Sequence, residues 1–230
     1  MAELLLIHGS CFTAQAWDAL IPALARHGHS ARAIDLPGRG GTVTSLAEQA
    51  QAIANALTGP TILVGHSAGG FPITAARSPH ITGLIYLAAY IPQPGKSVAD
   101  LRRAGPSQPM KGDFRLTPDR NAYSFAPDRC TDLFFHDCPD PDAATARLCL
   151  EPITPQETPL RHGPTPPAAA IICTDDRAIP PDWQRAMAAG LPQTDLPAGH
   201  CPFLSMPDRL AETLHLLVRQ MENPTHPVAG

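Results

Sequence analysis

No stretch of the 230 residues stays apolar for the roughly 18–20 positions that a membrane-spanning helix needs. A surplus of positive charge is also missing. The 17 Lys and Arg stand against 21 Asp and Glu, for a net charge of −4, and phosphate backbones are bound by basic patches, so nucleic acid is not expected as a partner. The start, Met1-Ala2-Glu3, lacks the basic region of a secretory signal, and the apolar run Leu4-Leu5-Leu6-Ile7 is too short for one. It reads as a first strand, with the cytoplasm as the expected compartment. The six cysteines, at 11, 130, 138, 149, 173 and 201, form no C-x-x-C pair, which argues against a zinc ribbon or a thioredoxin-like site. In a reducing compartment they are expected as free thiols; only the cluster Cys130, Cys138 and Cys149 leaves a bridge open. H-E-x-x-H, a P-loop and G-x-G-x-x-G are all absent. No metal and no cofactor are therefore expected.

What is present is a globular apolar fraction, 43%, on a chain long enough for one sizeable core. Short apolar runs alternate with Ala-rich segments of helical spacing. The runs predict strands at 3–7, 30–34, 61–65, 82–87, 168–173 and 193–196, and helices at 14–27, 45–57, 69–77, 181–189 and 207–220. The strands at 61–65 and 168–173 are almost wholly apolar, as in a parallel sheet covered by helices on both faces. The alternation predicts an α/β layer fold.

That alternation stops between about 92 and 165, where many of the 27 prolines lie. A loop of that length inside a compact domain is unusual unless it is functional. Phe114, Tyr123, Phe125, Leu133, Phe134 and Phe135 give it something to bury, and 141–149 has helical character. It is expected as a lid (cap) insertion between two sheet strands. The core is then 1–91 with 166–222, the lid 92–165, and 223–230 a tail expected to fray.

The sequence "VGHSAGG" (64–70) follows a strand and precedes a helix. "GHSAG" fits G-x-S-x-G, a turn that presents Ser67 at the edge of a sheet. A serine hydroxyl needs a base, and the base needs an orienting acid. In this arrangement the chain order is serine, acid, histidine. "AAIICTDDRAIP" is a strand ending in two aspartates, and "LPAGHCPFLSMP" sets a histidine between a short strand and the last helix. His200 is the base. The acid is Asp175 or Asp176, with Asp176 preferred and Asp175 read as a turn-former or solvated neighbour. The preceding strand ends "LIYLAAY" and offers no carboxylate. The oxyanion is expected at the backbone N–H groups of Ser10, in the loop after the first strand, and of Ala68. His8 is read as a brace for that loop and Asp35 as a turn-fixing residue. Gly9, Cys11, Phe12, His66 and Cys201 are expected to line the pocket, and Trp17 to pack against the first helix.

The segments "LLIHGSC…W" (5–17), "HGHSARAIDLPGRG" (27–40), "ILVGHSAGG" (62–70), "IICTDDRAIPPDWQRAM" (171–187) and "AGHCPFLSMP" (198–207) resemble the α/β-hydrolase superfamily. More narrowly they resemble its branch of plant methylesterases and hydroxynitrile lyases, with related bacterial esterases beside them. The resemblance implies a three-layer α/β-hydrolase fold, with a mostly parallel central sheet and a lid, and it puts the acid at Asp176. The lyases of that branch carry threonine after the first-strand histidine and lysine after the catalytic one. Here those positions hold Gly9 and Cys201, which favours hydrolysis.

The expected function is a serine hydrolase of carboxylesterase or methylesterase type, cleaving a small ester through an acyl-enzyme. Lactone opening or lyase-type C–C cleavage by the same triad, and a low-turnover small-molecule sensor, remain as alternatives. The expected partner is the small-molecule ester, with a homodimer left open.

Overall fold

Leu4, Leu5, Leu6 and Ile7 have no solvent exposure, so the strand they form needs cover on both faces and a neighbour on both edges. The computed structural model, which describes residues 1–165 and 167–222, gives β1 (Glu3–Ile7) both. Parallel to it run β2 (Ser30–Ile34) on one side and β3 (Thr61–His66) on the other. Next come β4 (Ile81–Leu87), β8 (Ala168–Cys173) and β9 (Gln193–Leu196), in the order β2-β1-β3-β4-β8-β9, every pair parallel. The register Ile7↔Gly65 ends β1 beside the end of β3. The loops after both strands therefore emerge together.

Helices fall between the strands, as the alternation predicts, with ends set by proline and by caps. The expected helix 14–27 is instead a 3-10 turn, Ala14–Trp17, followed by α1 (Leu20–Arg26). Pro22 has no N–H to donate and is tolerated only in a first turn, so the helix restarts just before it. Helix α2 (Leu46–Ala56) starts with a capping box in which Ser45 and Glu48 bond each other's backbone. Helix α3 (Gly70–Ala75) follows β3 after a short turn. The expected helix 207–220 is one continuous helix, Pro207–Glu222. Pro202–Ser205 is a separate turn of helix, because Met206 precedes Pro207 and is pushed out of helical geometry before the long helix Pro207–Glu222. No helix among the described residues is long and apolar enough to cross a membrane.

Residues between β4 and β8 are ordered well beyond the one helix foreseen. They hold α4 (Val98–Ala104), α5 (Pro127–Phe134), α6 (Pro141–Ala146) and α7 (Ile153–Glu157). An antiparallel sheet, β5 (Phe114–Leu116), β6 (Ala122–Phe125) and β7 (Glu151–Pro152), joins them. The expected helix 141–149 ends at Ala146. Leu148 and Cys149 leave the helical path, and the Cys149 N–H bonds the Cys11 carbonyl at 2.8 Å. Tyr123, Phe125, Leu133, Phe134 and Phe135 are all buried. The remaining helices are α8 (Pro181–Met187), α9 (Pro202–Ser205) and α10 (Pro207–Glu222). All six cysteines are free thiols. The tail 223–230, expected to fray, lies outside the described residues.

Candidate active site

Ser67 sits at the turn from β3 into α3 with φ of +53°, a left-handed backbone that a residue with a Cβ adopts only under constraint. The constraint comes from packing. A Cβ on Gly65 would meet the Gly69 carbonyl oxygen at 2.6 Å, and one on Gly69 would meet the His8 carbonyl oxygen at 2.7 Å. Only glycine lets the turn close this tightly against the loop after β1. Gly9 of that loop lies directly against the Ser67 side chain.

His200 is carried by the loop between β9 and α9. Its Nδ1 donates to Asp176 Oδ2 at 2.8 Å, with both side chains almost fully buried. That bond fixes the tautomer and leaves Nε2 with a free lone pair. The Asp176 carboxylate is held from three further directions. Oδ1 accepts the N–H groups of Ala178 at 2.7 Å and Ile179 at 2.9 Å, and Oδ2 accepts Gln184 Nε2 at 2.8 Å. Asp175, the other aspartate of the pair, is exposed. Gln184 was not foreseen. Its Nε2 also donates to the Ile179 carbonyl, and its Oε1 accepts the Cys173 N–H.

Ser67, Ser10 and His200 line one cavity of about 20 Å³, together with Phe12, Tyr90, Val98, Arg102, Met110, Phe114, Tyr123, Phe125, Phe134 and Gln156. That is room for about one water. Most of the wall comes from the segment between β4 and β8. Neither the Ser10 nor the Ala68 N–H donates a hydrogen bond among the described residues. Of the five residues expected to line the pocket, Phe12 does so. Gly9, Cys11, His66 and Cys201 lie behind the wall rather than in it. A roomier cleft of about 240 Å³, between the 3-10 turn at 14–17 and α6, has Phe12 as its shared wall with the site cavity.

The residues behind the wall brace it. His66 has no exposure, its ring centre lies 4.6 Å from that of His200 with the planes tilted by 55°, and it donates from Nε2 to the His200 carbonyl at 3.0 Å. Burial holds its imidazole well below the usual range, and the His200 charge it would face acts the same way. His8 accepts the Leu36 N–H at 3.1 Å through Nε2 and bonds the Gly9 carbonyl through Nδ1. Burial first, then Arg39, lower its pKa to about 3. Asp35 reaches away from its own turn and accepts the Ala14 N–H at 2.6 Å. Trp17 is fully buried, its ring 4.6 Å from that of Phe203. No group of three or more His, Cys, Asp or Glu among the described residues converges as a metal site.

Comparisons with known proteins agree with this architecture. The family model described as "Alpha/beta hydrolase family" matches residues 4–213. A pyrethroid hydrolase of Sphingobium wenxiniae is 30% identical over 247 residues, covering 93% of this chain and 86% of that protein. Methylesterase 3 of Arabidopsis thaliana is 24% identical over 247 residues, covering 92% and 94%. A crystal structure of the pyrethroid hydrolase PytH superposes with a TM-score of 0.81 at 25% identity, covering 98% of this chain and 99% of that one.

Proposed function

The chain belongs to the alpha/beta hydrolase family, and we propose that it hydrolyses a small carboxylic ester through an acyl-enzyme on Ser67. One observation carries this reading. The imidazole of His200, oriented by a 2.8 Å bond to a buried Asp176, shares a small cavity with a serine held at positive φ. Strain of that kind persists only where the surroundings over-determine it, and it concentrates at sites of chemistry.

In the proposed reaction Ser67 Oγ attacks the ester carbonyl while His200 Nε2 takes its proton. Asp176 steadies the imidazolium that forms. The carbonyl oxygen gains a full negative charge in the tetrahedral intermediate, and the free N–H groups of Ser10 and Ala68 receive it. His200 then protonates the departing alkoxide. Water repeats the sequence on the acyl-enzyme, releasing the carboxylate and restoring Ser67. Cys201, directly after the proposed base, has no cationic form and so offers no positive charge to a leaving group. That supports hydrolysis over lyase-type cleavage. Substrate entry requires the wall between β4 and β8 to yield, which is the lid role we propose for 92–165.

The test is turnover of p-nitrophenyl esters of increasing acyl length by the wild type and by Ser67→Ala. The variant is expected to lose several orders of magnitude in kcat. Undiminished turnover by Ser67→Ala would remove the proposal, and the length profile reports how far the wall opens.

A further inference from the structure

Arg102 and Arg103 are adjacent on α4 and meet different fates. Arg103 turns outward and pairs with Asp100 at 3.5 Å and Glu157 at 3.7 Å. Arg102 turns into the wall of the site cavity, half-buried, with its guanidinium carbon 4.2 Å from the centre of the Phe114 ring. It has no ion pair and no hydrogen bond among the described residues. The same side chain, with Tyr90, Met110 and Phe114, also walls a second small cavity whose rim carries Lys111, Ser107 and Gln108. No aspartate or glutamate lines either cavity. A chain of net charge −4 thus sets one cation and no carboxylate in the lining of its serine cavity, and a second cation in the cavity beside it. Two buried phenols lie near Arg102. Tyr90 and Tyr123 sit within electrostatic reach of it, and burial raises both phenols so that they stay neutral.

A guanidinium taken partly out of water without a partner is costly, and its planar fork of donors matches a carboxylate. Phe114 holds the fork in place by cation–π contact and satisfies none of its N–H groups. We infer that Arg102 is a specificity-determining residue that binds a free carboxylate elsewhere on the ester substrate, so that the preferred substrates are monoesters of dicarboxylic acids or esters of hydroxy acids. The reaction itself rests on the Ser67 reading; the anion site does not.

The experiment compares esters that differ only in charge. Monomethyl glutarate, adipate and pimelate are each set against the methyl ester bearing an ω-carboxamide, and acetoxyacetate against its amide. In the wild type, kcat/KM is expected to favour the carboxylate by roughly 10- to 100-fold in at least one pair, mainly through KM, as expected for hydrogen bonds to a charged group. Arg102→Gln brings that ratio to about one, Arg102→Lys restores part of it, and added salt shrinks it in the wild type alone. A second readout is independent of turnover. The monoamide of adipic acid should raise the melting temperature of the wild type and not that of Arg102→Gln. Neutral esters hydrolysed with no carboxylate preference would overturn this inference and leave the esterase reading standing. No turnover of any ester, with Arg102-dependent stabilisation, would overturn the esterase reading and leave the anion site. Equal stabilisation of wild type and Arg102→Gln overturns the anion site whatever the turnover.

Discussion

The Glu151 carboxylate, fully buried on β7, accepts the Cys11 N–H at 2.9 Å across 140 residues of chain. Cys11 itself is held at φ +66°, and its carbonyl accepts the Cys149 N–H at 2.8 Å. Two residues of the segment between β4 and β8 thus grip both backbone groups of the residue next to Ser10. Arg39 pairs with the same Glu151 oxygen at 2.7 Å, and Gln156 donates to the other at 2.9 Å. Burial raises the Glu151 carboxyl, while Arg39 and the N–H donors act to lower it. Glu151→Gln leaves the Arg39 guanidinium buried without its counter-charge. We expect a loss of about 3–5 kcal/mol in stability, and a fall of about tenfold or more in kcat as the Ser10 N–H loses its position. Thermal denaturation and p-nitrophenyl acetate kinetics on the variant check both. Unchanged kcat in a folded Glu151→Gln protein would show that the grip does not reach Ser10.

Gln184 acts on the acid at one remove. Its amide joins Asp176, the Ile179 carbonyl and the Cys173 N–H, tying the acid to the backbone on either side of it. Gln184→Ala is expected to cost about 1–3 kcal/mol in stability and to lower kcat by roughly 10- to 100-fold with little change in KM, since the residue positions Asp176 and does not touch substrate. Gln184→Glu would set a second carboxylate against Asp176 and should displace the acidic limb of the kcat–pH profile, a change that a purely structural role would not produce.

Acid should unfold the protein through its buried neutral histidines. His8 titrates near 3 when folded and near 6.5 when unfolded, and His66 is likewise held below its ordinary value. Both shifts have the folded state binding fewer protons than the unfolded chain. Their contribution is therefore complete above pH 6.5 and is lost as pH falls below it. Each adds a slope of about 1.4 kcal/mol per pH unit while only the unfolded form is protonated. The melting temperature should drop steadily from pH 6.5 toward pH 4, and His8→Gln should flatten the decline. A melting temperature constant across that window would contradict this account.

The sheet was legible because its strands are buried on both faces. Leu4–Ile7, Thr61–His66 and Ala168–Cys173 can be read as nearly continuous apolar runs. The serine, its turn and the aspartate–histidine pair were legible because each sits at a strand end, where the pattern breaks abruptly. The wall of the cavity was not. Its strands are two to four residues long, too short to show a period, and are held by side-chain bonds such as Asp119 to Thr117 and Asn121. Glu151, Gln184 and Arg102 carried no signal either. A charged or amide residue on a short helix or strand ordinarily faces solvent, and only the fold turns these inward.

Alkylation gives the last expectation, and it runs against reading Cys11 and Cys201 as pocket residues. Both are completely buried, and burial raises each thiol well above its ordinary value. Cys173 is in the same state. Cys130 is pushed up to about 11 and Cys138 to about 12, the latter with help from Asp137. The thiolate is the reactive form, so these five thiols offer almost none at pH 8. Cys149 is half-buried near Arg39, and it lies outside the cavity lining. Iodoacetamide at pH 8 should therefore leave ester turnover intact while intact-mass spectrometry shows at most slow, single addition mapping to Cys149. Rapid inactivation with label on Cys11 or Cys201 would mean that the wall opens far enough in solution to expose the residues behind it, and the rate of that labelling would then measure the opening.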